Sequence, residues 1–208
     1  YSNDGTYQVI HQVEDANGCK KDTTLDVIIF PKPSPQFITA NECVGAAFTF
    51  LNTSTIPNGY SIVNSFWNFG DGSSLDTNFH PNHIFQNSGN YLISYIAESD
   101  RGCSDTILDS ITVYPLPNVI FSSDTVCEGS LTSLNNTSNV VNGSIIGYNW
   151  NFGGQTTSTQ TNPQHIYSTG GIHSTTLVAT SDRGCIDSLI RPVRVWWPPQ
   201  PLLQADIL

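Results

Sequence analysis

Methionine is missing from all 208 positions, the first included, which is the expectation for a piece of a longer protein. Charge is also scarce. Only 12% of residues are charged, and seven basic against seventeen acidic side chains give a formal net charge of −10. With so few cations the chain has no basic patch for nucleic acid, and an anionic membrane surface offers it no attraction. No apolar run approaches the roughly 20 residues that span a bilayer. No secretory leader or lipidation motif is visible, and no amphipathic helix longer than two turns can be drawn. The sequence has no C-x-x-C, no G-x-S-x-G and no H-E-x-x-H, so familiar zinc, hydrolase and metalloprotease signatures are lacking.

What remains is apolar and turn-rich. Hydrophobic residues make up 38% and aromatics 11%, enough for packed cores. Ser, Thr and Asn are abundant while Glu, Lys and Ala are scarce, a mixture that favours strands and turns over helices.

Self-comparison organises the chain. Gly18-Cys19, Gly102-Cys103 and Gly184-Cys185 recur at intervals of 84 and 82. Each closes a similar phrase: "GTYQVIHQVEDANGC", "GNYLISYIAESDRGC" and "GIHSTTLVATSDRGC". Cys43 and Cys127 are 84 apart, Trp67 and Trp150 are 83 apart, and "HPNHIF" answers "NPQHIY". The repeat is therefore about 83 residues, and the chain holds about two and a half copies. Pro31-Lys32-Pro33, Pro115-Leu116-Pro117 and Pro198-Pro199 mark the boundaries, where Pro-x-Pro favours a stiff, extended connector and a semi-rigid rod. The expected divisions are 1–33 (the C-terminal part of a truncated repeat), 34–117, 118–199, and 200–208 as the first strand of a following repeat.

Alternation and turn signals give six or seven short strands per copy, including Phe48 with Phe50, Phe66 to Phe69, and Tyr91, Ile93, Tyr95 and Ala97. "ESDRGCSD" reads as a hairpin turn, and Asn17-Gly18 as a type I′ pair. The expectation is an all-β chain of tandem immunoglobulin-like β-sandwich modules.

"WNFGDG", then "HPNHIF", then "GNYLISYIAESDRGC" resembles the PKD (polycystic kidney disease) domain, and the resemblance covers nearly the whole chain. It places Trp67, Gly70, Asp71, Gly72 and His83 in the family motif. Trp150 and His165 hold the matching positions of the next copy, where "YNWNFGGQTT" has lost the acid. The early cysteine and the Gly-Cys pair also look like tandem PKD modules of Bacteroidota surface proteins, among them long secreted adhesins associated with gliding motility and type IX secretion.

On that resemblance Cys43 is expected to pair with Cys103 and Cys127 with Cys185, leaving Cys19 without a partner in this fragment. Such a bridge would stabilise a module by roughly 4 kcal/mol in the chain-entropy model and would place it outside the cytoplasm, secreted or on the cell surface. Zinc is the rival reading, but no His recurs beside the cysteines. Trp67 and Trp150 are expected to be buried beside the disulfide. Asp71 is expected to cap a turn with its carboxylate. The alternatives, a general acid or a calcium ligand, suffer from the missing acid in the second copy. His83 and His165 are read as hydrogen-bonded structural residues. His11, His80 and His173 align with other residue types and form no recurrent constellation. No catalytic residue, metal ligand or cofactor site is assigned.

Two surface features complete the reading. Trp196-Trp197 ends a repeat and is expected to pack against the following one, with sugar stacking as the alternative. Thr23, Thr106, Ser110, Thr125 and Ser188 follow Asp in D-S/T motifs that resemble the Bacteroidota O-glycosylation signal, against a reading of plain strand alternation. The functional expectation is a non-enzymatic structural segment: a semi-rigid spacer of an extracellular adhesin or filament. Its partners would be neighbouring repeats and, beyond them, other copies in a filament or a surface glycan. The alternative is a carbohydrate- or protein-binding accessory module of a secreted protein.

Overall fold

A computed structural model describes residues 1–154 and 156–200. Residues 201–208, which carry the expected first strand of a following repeat, lie outside the described residues. All regular elements among the described residues are strands. The chain divides into two units, Tyr1–Val113 and Tyr114–Leu208.

The first unit begins with a hairpin of β1 (Gly5–Glu14) and β2 (Lys20–Ile29), paired over ten residues from Gly5↔Ile29 to Glu14↔Lys20. Both strands are largely exposed, with Ile10 and Leu25 more than 60% accessible. Eight further strands follow: β3 (Phe37–Ile38), β4 (Glu42–Cys43), β5 (Ala47–Thr49), β6 (Leu51–Asn52), β7 (Ile62–Asn68), β8 (Asn82–Ile84), β9 (Gly89–Ser99) and β10 (Ser104–Tyr114). One sheet runs β4-β10-β9-β7, and the pairs β3-β6 and β5-β8 supply the opposing layer.

The second unit repeats this plan with β11 (Phe121–Ser123), β12 (Val126–Cys127), β13 (Leu131–Asn136), β14 (Ile145–Asn151), β15 (Thr157–Ser158), β16 (Gln164–Ile166), β17 (Gly171–Ser181) and β18 (Ile186–Trp196). Its sheets are β12-β18-β17-β14-β15 and β11-β13-β16. Strands β7 and β14 carry a register shift at the same place, between Ile62 and Asn64 and between Ile145 and Gly147.

The period-two pattern builds each core. On β9, Ile93, Tyr95, Ala97 and Ser99 are buried and the intervening residues are not. On β17 the buried set is Thr175, Leu177, Ala179 and Ser181. Trp67 and Trp150 are completely buried at the centre of their units. Trp67 stacks on Tyr95 at 3.9 Å and meets Phe37 and Phe50 at 5.3 and 5.8 Å. Burying a side chain of this size is worth about 3 kcal/mol. The hydroxyl that Tyr95 carries into this core accepts from Asn52 Nδ2 at 2.6 Å, so its polar atom is satisfied.

The Gly-Cys turns share one geometry. Gly18, Gly102 and Gly184 have φ of 82°, 76° and 79°. In each turn the glycine N–H donates to the carbonyl three residues back, on Asp15, Ser99 and Ser181. Asn17 has no positive φ, so the expected type I′ pair is replaced by a type I turn with one left-handed glycine. The next N–H, on Cys19, Cys103 and Cys185, is held by Asp15 Oδ1, Ser99 Oγ and Ser181 Oγ.

The cysteines correct the sequence reading. Cys103 and Cys127 are free thiols, as is Cys19, whereas Cys43 and Cys185 are disulfide-bonded. The expected pairs Cys43–Cys103 and Cys127–Cys185 are therefore not formed, and the strands explain why. Cys127 sits level with Trp196 at the end of β18, while Cys185 immediately precedes its first residue. At about 3.3 Å per residue, the 11 residues of β18 hold these two cysteines roughly 35 Å apart. A disulfide needs Cα atoms within about 7 Å. In the first unit, Asn41 Oδ1 accepts from Thr112 N at 2.8 Å, putting the start of β4 at the far end of β10 from Cys103. Each sandwich thus carries its early cysteine and its Gly-Cys cysteine at opposite ends, and Trp67 is enclosed by aromatic rings where a bridge was expected.

Candidate functional site

The loop after β7 gathers the residues with most chemical potential. Asn68 Oδ1 accepts from Gly70 N at 2.9 Å and starts the turn. Gly70 has φ 72°, and a Cβ there would lie 2.6 Å from the Leu92 carbonyl oxygen. Only glycine fits both demands. Asp71 follows. Its Oδ1 accepts from Ser73 N at 3.0 Å and Ser73 Oγ at 2.6 Å, and its Oδ2 stands 2.7 Å from His83 Nε2. The His83 ring lies flat on Phe69, centroids 4.0 Å apart. Both ionisable side chains are 16% accessible. Partial burial pushes the Asp71 carboxyl up, but bonds from Ser73 and His83, with the histidine's charge, outweigh it and hold the group at about 2.

The second unit keeps this arrangement without the acid. Asn151 Oδ1 accepts from Gly153 N at 3.0 Å. A Cβ on Gly153, φ 88°, would lie 3.0 Å from the Ser174 carbonyl oxygen. Gly154 stands where Asp71 does, and His165 lies flat on Phe152 at 4.3 Å. Burial, and then the charge of His173, lower the His165 pKa. Both tryptophans donate Nε1–H to a loop carbonyl, Trp67 to Asn78 at 3.0 Å and Trp150 to Gln160 at 2.9 Å.

His80 has a role that its sequence position hides. Its Nδ1 accepts from Asn52 N at 3.0 Å, and in the second unit Asn162 Oδ1 does the same for Asn136 N at 2.8 Å. The shared signal is an acceptor three residues before the motif's common histidine, His83 or His165, not a residue type. His173 Nε2 lies 2.8 Å from the Thr169 carbonyl oxygen. No group of three or more metal-ligating side chains assembles among the described residues, and no helix is long and apolar enough to cross a membrane.

Trp196 and Trp197 are 48% and 67% exposed. Arg194 lies over the Trp196 ring at 5.1 Å. Trp197 covers Gly170, where a Cβ would come within 2.7 Å of the indole. A cavity of about 140 Å³ opens between these residues, Gly171 and Ile172. Thr23, Thr106, Ser110, Thr125 and Ser188 are all exposed. Ahead of three of them, Asp105, Asp109 and Asp187 each accept the N–H of the hydroxyl residue that follows.

Among characterised proteins, a collagenase (ColA) of Bacillus cereus is 46% identical over 43 residues, 21% of this chain and 4% of the collagenase. The pre-pro-metalloprotease PrtV of Vibrio cholerae is 37% identical over 71 residues, 34% of this chain and 8% of that protein. A microbial collagenase of Vibrio alginolyticus is 37% identical over 82 residues, 38% and 10% respectively. The chain thus spans a tenth or less of each of these relatives. The crystal structure of the PKD1 domain from the Vibrio cholerae PrtV metalloprotease is 33% identical, with a TM-score of 0.36, covering 39% of this chain and 98% of that domain. The family model described as PKD domain matches residues 31–113 and again 112–195. The chain therefore belongs to the PKD domain family, with two members in tandem.

Proposed function

We propose that this chain is a non-catalytic spacer segment of an extracellular protein, built of repeats spanning 34–117 and 118–199 behind the end of an earlier repeat at 1–33. One observation carries the reading: the reactive-looking groups of the motif loop are consumed by the loop itself. Both Asp71 oxygens are engaged by Ser73 and His83, and the second unit keeps the same turn and ring stack with Gly154 in place of the acid. Asp71 acts as a turn cap, and Trp67, Trp150, His83 and His165 as framework. The prolines at 31, 33, 115, 117, 198 and 199 suit stiff joints. The relatives are collagenases and a metalloprotease by name, of which the chain matches a tenth or less, which fits an accessory segment of a larger exported protein. Exposed Thr23, Thr106, Ser110, Thr125 and Ser188 are candidate O-glycan acceptors, and an intact mass with no added hexose ends that part of the reading. Backbone ¹⁵N relaxation tests the spacer. One rotational correlation time shared by both units is expected, and two independent times would overturn it.

A second reading rests on Trp196 and Trp197, two exposed indoles beside a cationic Arg194. Aromatic faces of this kind stack on sugar rings or clasp a protein partner. Retention on a glycan array that vanishes with Trp197→Ala supports this reading, and equal signals for the two proteins dismiss it.

A further inference from the structure

We propose that the second unit binds an acidic polysaccharide, one carrying uronic-acid carboxylates, at the end of β18 where Arg191, Arg194 and the two indoles meet. The inference deepens the second reading above and rests on it: the exposed faces of Trp196 and Trp197 meet a sugar ring.

The chain has only seven cationic side chains in 208 residues, yet two of them open on one cavity. It holds about 230 Å³ and lies between residues 121–125 and β18, lined by Arg191, Arg194, Ser122 and Ser123. Register explains the opening. Strand β12 pairs with β18 only at Val195 and Trp196, so the edge of β18 stands clear of β12 from 191 to 194. Arg191 donates from Nη1 to the Phe121 carbonyl oxygen and lies over that ring at 6.0 Å. Arg194 stands opposite Ile172 of β17 and covers Trp196. Neither arginine pairs with a carboxylate among the described residues. The acids of the neighbouring segment are tied to backbone: Asp124 Oδ1 accepts from Ser133 N and Glu128 Oε2 from Gly170 N, each at 2.8 Å. Arg194 also lines the smaller cavity beside Trp196 and Trp197, so the cationic and aromatic surfaces are continuous.

The sandwich does not require these residues. In the first unit Asp109, Thr112, Tyr114 and Pro115 hold the positions of Arg191, Arg194, Trp196 and Trp197, and that unit builds the same pair of layers. There Asn41 occupies the place of Thr125, and its Oδ1 accepts from Thr112 N at 2.8 Å. The two arginines and the second indole therefore belong to the surface of the second unit and not to the plan of the fold.

Chemistry selects the occupant. A guanidinium fork matches a planar carboxylate through two parallel hydrogen bonds. The indole faces suit the C–H face of a pyranose, and Ser122 and Ser123 offer hydroxyls that donate to or accept from those of the sugar. A uronic-acid unit carries all three complements. At physiological salt, exposed charges more than roughly 8 Å away are largely screened, so the nearby arginines govern the site in place of the net charge of −10.

Calorimetric titration of the whole chain with oligogalacturonate in metal-free buffer tests this. Binding is expected, weakened by added salt and by Trp197→Ala, and roughly tenfold weaker in Arg191→Gln and in Arg194→Gln. Arg194→Lys keeps the charge without the fork and should restore only part of the affinity; full binding by the lysine and glutamine variants alike would overturn the proposal. A neutral cello-oligosaccharide of equal length should bind roughly tenfold more weakly than the acidic one. Equal binding of the neutral sugar, unchanged by either glutamine variant, would overturn the acidic assignment and leave sugar stacking on the indoles standing. No binding of either sugar would overturn both. Polyglutamate bound as tightly as oligogalacturonate would mark a site for acidic peptide and overturn the proposal.

Discussion

His83 Nε2 stands 2.7 Å from Asp71 Oδ2, while the imidazole rests flat on Phe69. This single contact divides the two units. The second unit has the histidine and the ring beneath it, but no carboxylate.

The pair makes the first unit acid-sensitive. The Asp71 pKa falls from 3.8 to about 2 in the folded chain, so the unfolded chain binds the proton first. The stabilisation is present above about pH 4 and is lost as pH falls toward 2. Asp71→Asn should cost roughly 1 kcal/mol at neutral pH once solvent screening is allowed for. That difference should close at about pH 2. Urea titrations of both proteins across this range measure it, and a pH-independent gap would contradict the linkage.

Glycine substitutions separate backbone strain from collision. Gly72→Ala meets only the left-handed φ of 84°, with open space around the new methyl group, and should cost about 1 kcal/mol. Gly70→Ala adds a collision with the Leu92 carbonyl oxygen at 2.6 Å. Its unfolding free energy should fall by roughly 3 kcal/mol, combining strain with overpacking. Thermal melts that rank the two equally would contradict the geometry.

The central indoles should behave alike in both units. Trp67→Ala and Trp150→Ala each empty a fully buried site and leave a loop carbonyl without its donor. A loss of about 3–5 kcal/mol is expected from the cavity alone. Denaturant unfolding followed by near-UV circular dichroism reads it.

Neither unit closes a loop with its own disulfide, so reduction should leave both sandwiches folded. Cys103→Ser and Cys127→Ser should change unfolding by less than about 0.5 kcal/mol. Cooperative unfolding in dithiothreitol checks this, and collapse of either transition on reduction would show that a bridge is needed within a unit.

Much of this was readable in the residues. Repetition fixed the length of the module, and alternation on β9 and β17 marked the buried faces, because a strand exposes side chains with period two. The fate of Asp71 was foreshadowed by its absence from "YNWNFGGQTT". The cysteine pairing was not legible, since separation along the chain does not say at which end of a long strand a residue falls. Register decides that, and register is set by partners remote in sequence. His80 escaped notice for a related reason. The acceptor recurs while the residue type changes, and an alignment by identity cannot see a lone pair.

One further consequence follows from the way the second sandwich is closed. Strand β12, near the start of its module, runs parallel beside β18, the last strand. Pulling on the two ends of such a module drags these neighbours lengthwise past each other. Their ladder must yield all at once and cannot be opened bond by bond like a hairpin. How such a domain answers tension is then set by the rate at which this short parallel ladder shears, a quantity that thermal stability alone does not report.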